Sequence, residues 1–241
     1  MKSKQSGFTL IEIAIVLVII GLLLGGVLKG QELINSAKVK NLATDFKNVP
    51  VYIYGYQDKF RALPGDDQNA QTHVGSASIT VTPCSSKTGC NQGNGMLDGN
   101  WNDGSLNGSP NVSEAYLFWQ HVRLAGLAPG STDTTSQLYI PTNAVGGNIG
   151  IQSGTSDPKA SPMLDAKGNA IRGSYIICSS GILGKFVKQL DLQMDDGDPQ
   201  NGSMMAAPTN GYAIDGAGNK SQSTTDAAWS DAATYNVCMG I

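Results

Sequence analysis

The pattern of apolar and polar residues divides the chain into a long apolar run, an amphipathic stretch and a more broken remainder. The run spans residues 8–28, and 15 of these 21 residues are Leu, Ile, Val or Phe. As a helix it would be about 31 Å long, close to the roughly 30 Å hydrocarbon thickness of a bilayer. Its apolar side chains favour insertion by several kcal/mol, which outweighs the cost of about 2 to 3 kcal/mol for Glu12. We therefore predict a membrane-spanning helix.

Beyond this run, apolar residues recur at alternating intervals of three and four positions. The stripe consists of Val39, Leu42, Phe46, Val49, Ile53, Tyr56 and Phe60. Such spacing places the residues on one helix face, which we expect to form the spine of the core of a folded head. Pro50 leaves two alternatives: a kinked helix that continues past it, or a helix that ends at Val49 before a strand at 51–54. The unbroken stripe favours the kinked helix.

The remainder alternates short helical and strand-like segments with turns rich in Gly, Pro and Asn. Helices are predicted at 111–127, capped by Asn111 with Glu114 three residues on, and at 183–194. The strand candidates are residues 138–140, 149–151, 175–178 and 212–214. The predicted fold class is α+β: a long N-terminal helix, half membrane-spanning and half amphipathic, packed against an antiparallel sheet with one or two further short helices.

A short polar leader precedes the apolar run. It carries Lys2 and Lys4, so the positive-inside rule predicts a cytoplasmic N-terminus and an exported head. No small-residue cleavage pattern follows Leu28, which argues against an ordinary secretory signal peptide. Glu12 has two interpretations at this point: an acid near the membrane edge, or a charge that pairs with a cation from another chain.

This N-terminal segment resembles the type III signal of type IV pilins and type II secretion pseudopilins. The resemblance rests on the basic leader, Gly7, the sequence FTLIE at residues 8–12 and the unbroken apolar helix, about the first 30 residues of 241. It implies that prepilin peptidase cuts after Gly7 and that the new N-terminus, Phe8, is methylated. It also implies that Glu12 neutralises the Phe8 ammonium of an adjacent subunit. Either charge alone is costly to bury, whereas the pair attracts strongly.

The resemblance defines four segments and a set of partners. The segments are a leader at 1–7, a transmembrane or filament-core helix at 8–28, an amphipathic helix at 29–60 and a globular pilin-like head at 61–241. The expected partners are other copies of the chain, other pilin subunits, prepilin peptidase and, before assembly, the inner membrane. We expect a single-pass inner-membrane protein with a periplasmic head, which joins a cell-surface filament after assembly.

Three functions are compatible with these expectations. The favoured one is a structural subunit of a type IV pilus that serves attachment, motility or uptake. The alternatives are a pseudopilin of a type II secretion system and a minor pilin that acts as an adhesin or binding module. An enzyme is not expected, because the sequence has two histidines, no nucleophile motif and no phosphate loop. A net charge of −3 and a pI near 5.3 give no electrostatic footprint for nucleic acid.

Four cysteines lie in the part of the chain that would be exported. Because the periplasm and the cell surface are oxidising, we expect two disulfides, for which three pairings exist. The favoured pairing joins Cys84 to Cys90, which enclose five residues of a Ser- and Gly-rich segment, and Cys178 to Cys238. The first bond would stabilise a long surface loop, within residues 65–110, that is poor in large apolar residues. Zinc is disfavoured because Cys-x5-Cys is not a usual zinc spacing.

One dense group of carboxylates occurs at 191–198. Some pseudopilins hold calcium in a carboxyl-terminal loop, so the resemblance makes Asp195, Asp196 and Asp198 candidate calcium ligands. No motif of those calcium loops matches here, and Asp-Gly-Asp-Pro is ordinary turn sequence. The favoured interpretation is a group of acids that face water, with no metal or other cofactor.

Overall fold

A computed structural model of the chain describes residues 9–85, 89–104, 112–209 and 229–241, and the backbone of 213–214 and 220–223. Its helices are α1 (Leu10–Phe60), α2 (Ala70–His73), α3 (Glu114–Leu124) and α4 (Gly184–Met194). Its strands are β1 (Ile149–Ser153), β2 (Met163–Leu164), β3 (Tyr175–Leu183), β4 (Met204–Pro208), β5 (Ala213–Ile214), β6 (Lys220–Ser223) and β7 (Thr234–Gly240). The fold is α+β, as the sequence predicts.

Helix α1 is a single helix of 51 residues. The Thr9 side chain caps its N-terminus, and Arg61, with a φ of 55°, ends it in the left-handed region. Pro50 lies inside the helix, so the alternative of a strand at 51–54 is wrong. Although Pro50 removes one backbone hydrogen bond, Val49 and Ile53 are buried on either side of it and keep both halves on the same core.

Burial divides α1 into two parts. No residue of the helix before Val39 is buried. From there on the buried residues follow the predicted stripe and are Val39, Leu42, Ala43, Phe46, Val49, Ile53 and Tyr56. Phe60 is partly buried against the same core. Full burial of a large apolar side chain stabilises a fold by about 1.5 to 3 kcal/mol. The buried stripe therefore makes this second part of α1 the central helix of the core of the head.

The head contains a four-stranded antiparallel sheet in the order β1-β3-β7-β4. Side chains alternate between the two faces of a strand. Ile177 and its neighbour on β7, Met239, therefore lie in the main core with the buried stripe of α1. Ile176 and Cys178 lie in a second, smaller core together with Met163. A further sheet of three short strands has the order β2-β6-β5.

The structure corrects two of the predicted elements. The helix predicted at 111–127 begins later, because Ser113 caps it through its hydroxyl, and Gly126, with a φ of 76°, follows its end. Asn111, the predicted cap, lies outside the described residues. The strand predicted at 138–140 is wrong: Tyr139 lies in a turn, and its backbone N–H donates to the carbonyl of Ser136 at 3.0 Å.

The other predicted elements have counterparts in the structure. Strands β1 and β3 and helix α4 occupy the predicted positions, and β5 covers 213–214 of the strand predicted at 212–214, of which residue 212 lies outside the described residues. Strands β4 and β7, which form half of the four-stranded sheet, were not predicted.

Candidate functional site

The first turn of α1 holds Glu12 in a defined position. The backbone N–H and the hydroxyl of Thr9 donate to Oε2 of Glu12 at 2.8 and 2.7 Å, and the Glu12 N–H donates to the Thr9 hydroxyl at 3.4 Å. This reciprocal arrangement is a capping box, and it places a carboxylate at the positive end of the helix dipole. Gly7 and Phe8 lie outside the described residues. The carboxylate is thus fixed where the chain enters the helix.

The apolar surface around Glu12 is unusually large for one folded chain. Of the 22 large hydrophobic side chains that are exposed in the described residues, 16 lie within residues 10–34. One described helix, α1, is long and apolar enough to cross a membrane, and none of its most apolar window is buried within the chain. This apolar window is therefore not part of the core of the head. An exposed apolar patch of this size marks contact with lipid or with partner subunits.

Two acids hold described parts of the long loop before α3: Asp66, which the sequence analysis did not single out, and Glu114, which it named only as a capping residue. Glu114 is fully buried, and its carboxylate accepts the N–H of Asn91 at 2.6 Å and that of Asp98 at 3.0 Å. Asp66 accepts backbone N–H groups of 93–95. Burial raises the pKa of Glu114 to about 7, although its two hydrogen bonds oppose the shift. The partners of these two carboxylates are backbone N–H groups 16 to 29 positions away in the sequence, so no local pattern reveals the contacts.

A cleft of about 740 Å³ lies beside the end of α1 and includes Asp67 and His73 in its lining. The Tyr56 hydroxyl donates to Oδ2 of Asp67 at 2.7 Å, and Nδ1 of His73 lies 2.7 Å from the same oxygen. Oδ1 of Asp67 accepts the N–H of Asn69 at 2.9 Å. These contacts join α1 to the turn that follows it. They use both oxygens of the carboxylate, which suits a structural role.

Both disulfides favoured by the sequence analysis are present. The bond between Cys178 and Cys238 joins directly opposite positions of β3 and β7, and both residues are buried. The bond between Cys84 and Cys90 closes the loop that leads to α3. One bond therefore ties β7 to its neighbour β3 inside the sheet, and the other links two positions of the segment that precedes α3.

The carboxylates at 191–198 separate into a cluster and a turn. Asp191, Asp195 and Asp196 each place a carboxylate oxygen within 4.8 Å of the others. Asp191 is fully buried, which contradicts the interpretation that the acids of this group face water. The fourth acid, Asp198, accepts the side-chain amide of Asn201 at 2.8 Å, in the turn. Asp191 lies four residues after the buried Val187, so the helical period was a signal that sequence analysis passed over.

The electrostatics of Asp191 differ from those of an exposed acid. Burial raises its pKa to about 7, and the neighbouring charges of Asp195, Asp196 and Asp198 act in the same direction. The N–H of Gly197 opposes the shift. The structure thus brings together two of the three candidate calcium ligands and adds a buried third acid from α4.

The comparison with known protein families identifies the N-terminal segment. The family described as the prokaryotic N-terminal methylation motif matches residues 2–28, the leader and the apolar run. No curated protein and no solved structure matches the chain. The motif is the signal of a prepilin-type precursor, and the long N-terminal helix with a four-stranded antiparallel sheet is the arrangement of the pilin fold. The motif supports a precursor of a type IV pilin or a pseudopilin, proteins that are processed by prepilin peptidase and assemble with other pilin subunits.

Proposed function

We propose that this chain is the precursor of a structural subunit of a type IV pilus, which serves attachment, motility or uptake. Prepilin peptidase cuts it after Gly7, and the new N-terminus at Phe8 is methylated. Before assembly, residues 8–28 span the inner membrane and the head at 61–241 lies in the periplasm. After assembly, the same helix packs against helices of other subunits in the filament core. The observation that carries the proposal is the methylation motif on a helix whose first part is wholly exposed and apolar.

The division of α1 supports a filament subunit. The second part of α1 packs into the head, so this part of the helix and the head form one folded unit. Residues 29–38 connect that unit to the apolar run, and none of them is buried. Sixteen exposed large hydrophobic side chains within 10–34 need either lipid or neighbouring helices. Helices of other subunits replace lipid in the filament, so the membrane pool serves as a reservoir of subunits.

Glu12 is proposed to set the register between subunits. Cleavage after Gly7 creates an ammonium at Phe8, and in the filament core the Glu12 carboxylate of an adjacent subunit pairs with it. The pair gains strength as water is excluded, because Coulomb attraction increases when the local dielectric constant falls. The two hydrogen bonds from Thr9 to Glu12 support this role, because they hold the carboxylate in place before the partner arrives.

The two disulfides favour a pilus over a secretion pseudopilus. They covalently fix a surface loop and the C-terminal strand of the head, and a filament exposed outside the cell has to keep its fold without chaperones or a surrounding compartment. A secretion pseudopilus is the second candidate, and the location of the processed protein separates the two. Processed protein in filaments sheared from the cell surface supports the pilus, and processed protein confined to the membrane fraction supports the pseudopilus.

The substitution Glu12→Ala tests the assembly role. The variant should insert and be cut normally, while its yield in sheared filaments falls at least tenfold, because removal of one partner leaves a buried charge unpaired. Glu32→Ala is the matched control: Glu32 is an exposed acid on the same helix, paired with Lys29, and its loss should leave the yield unchanged. Immunoblots of the filament and membrane fractions give both quantities. A normal filament yield from processed Glu12→Ala protein contradicts the role.

A further inference from the structure

The junction between α4 and β4 contains a buried acid without a counter-charge. The side chain of Asp191 has no solvent exposure, and neither of its carboxylate oxygens has a hydrogen-bond partner of normal geometry in the described residues. A buried carboxylate is strongly unfavourable unless it is paired or coordinates a cation. Asp191 therefore points to a ligand.

The surroundings of Asp191 add further acidic groups close to it. Asp195 and Asp196 place carboxylate oxygens within 4.8 Å of it, and Asp198 adds a further charge of the same sign. None of the ion pairs found among the described residues involves any of these four acids. Like charges this close repel each other, and either protonation of one acid or a cation between the acids relieves the repulsion.

The two other acids of the cluster are held in place by the backbone. Oδ2 of Asp195 accepts the N–H groups of Ser203 and Met204 at 2.6 and 2.9 Å. Oδ1 of Asp196 accepts the N–H of Asp198 at 2.9 Å. Each of the two carboxylates thus has one anchored oxygen, and no hydrogen bond to its other oxygen is found among the described residues. The anchoring fixes both carboxylates next to the buried one.

We propose that Asp191, Asp195 and Asp196 bind one calcium ion. Carboxylate oxygens are the ligands of hard cations, and calcium accepts six to eight of them at about 2.3 to 2.6 Å. Opposite ligands of such an ion are about 4.6 to 5.2 Å apart, which accommodates oxygens within 4.8 Å of one another. Magnesium demands a smaller octahedron at about 2.0 to 2.1 Å and gives up its water reluctantly. The remaining positions around calcium are filled by water or by backbone carbonyls.

The ion would connect two elements of the head. Asp191 belongs to α4, while Asp195 is bonded to the first residues of β4, so an ion shared by them joins the end of the helix to the start of the strand. Gly202, with a φ of 94°, lies so close to Asp195 that a Cβ there would collide with the carboxylate, so the intervening loop is folded tightly over the site. This inference concerns the head alone and does not depend on the proposed filament.

Calcium titration of the full-length protein in detergent, after treatment with EDTA, tests the site. Isothermal titration calorimetry should show one calcium ion per chain, with a Kd on the order of 10⁻⁵ to 10⁻³ M. Calcium at about one hundred times the Kd should raise the melting temperature by about 5 °C or more, measured by circular dichroism. Magnesium should bind at least tenfold more weakly. Absence of calcium binding at millimolar concentration, or equally tight magnesium binding, overturns the proposal.

Two variants assign the binding to these acids. Asp191→Asn preserves the size of the side chain and removes the buried acid, and Asp196→Asn removes an exposed acid while keeping an amide oxygen that can accept the N–H of Asp198. Each should weaken calcium binding at least tenfold and reduce the calcium-dependent rise in melting temperature. Asp133→Asn is the matched control: this exposed turn acid accepts hydrogen bonds from Thr135, and its variant should bind calcium as the wild type does. Unchanged binding by both Asp191→Asn and Asp196→Asn overturns the assignment.

Discussion

Replacing Glu114 by Gln should change how the stability of the head depends on pH. Glu114 is fully buried at the start of α3, and burial raises its pKa to about 7 from an ordinary 4.5. Between these two values the folded protein keeps a proton that the unfolded chain releases. The substitution retains the shape of the side chain and removes its titration.

The sign and size of the effect follow from linkage. The folded-state pKa is raised, so the contribution of Glu114 to stability is fully present below pH 4.5 and is lost as the pH rises to about 7. At about 1.4 kcal/mol for each pKa unit, the loss is about 3 kcal/mol. His121 acts in the opposite direction, because burial lowers its pKa to about 4 and its contribution is lost as the pH falls from 6.5. The two effects overlap and partly cancel in the wild type.

A comparison of wild type and Glu114→Gln isolates the first effect. Urea unfolding of both full-length proteins in detergent, followed by tryptophan fluorescence from pH 4 to pH 8, gives two curves of the free energy of unfolding. His121 contributes to both curves and cancels in their difference, while the hydrogen bonds that the substitution alters add an offset that does not vary with pH. The wild type should lose about 3 kcal/mol relative to the variant between pH 4.5 and pH 7. A difference that stays constant over this range refutes the reasoning.

Two further predictions concern the core of the head. Replacing both Cys178 and Cys238 by Ala should lower the free energy of unfolding by about 4 kcal/mol, because the bond closes a loop with a sequence separation of 60; a loss below about 1 kcal/mol contradicts this. Phe46→Ala should lower the free energy of unfolding by about 3 to 5 kcal/mol, since the ring is 1% exposed on the stripe of α1. Val51 is 63% exposed on the same helix, so Val51→Ala should change the free energy of unfolding by less than about 0.5 kcal/mol. Equal effects of these two substitutions contradict the conclusion that the stripe residues form the core of the head. Urea unfolding measures all of these values.

The parts of the fold that sequence analysis predicted are those governed by local periodicity. The stripe on α1 continues through Pro50. The helix continues with it, because the segments before and after Pro50 pack against the same core. The α4 helix and strand β3 likewise carry their pattern within about ten consecutive residues. Length and composition were sufficient to predict a helix over the apolar run, and the structure has this run inside α1.

The parts that were missed depend on contacts distant in sequence. Strand β4 contains two alanines and ends at Pro208, so it has little strand propensity of its own, and it forms because β7 pairs with it. Residues 138–140 have strand propensity, yet the buried hydroxyl of Tyr139 donates to the carbonyl of Tyr116 and accepts the N–H of Gln120 on α3. A turn satisfies both contacts. Propensity was overruled in each case by a partner that the local sequence does not reveal.

Among the candidate site residues, too, sequence analysis found the one with a local pattern and misjudged the one whose burial depends on distant contacts. Glu12 stands out in the sequence because it is an acid in an apolar run, and its capping box is local. Asp191 does not stand out in that way, since its burial depends on the packing of α4 against the sheet and against α1. The helical period places Asp191 on the same face as the buried Val187, but the neighbouring acids at 195–198 made the whole group look exposed.

The most direct test of the proposed pilus subunit is the intact mass of this protein in filaments sheared from its native cells. The account predicts a mass that lacks residues 1–7, gains one methyl group at Phe8 and is lower by four hydrogens for the two disulfides. A protein that still carries its leader contradicts the account. So does a correctly processed protein that is absent from surface filaments and present only in the membrane fraction, which would identify a secretion pseudopilin instead.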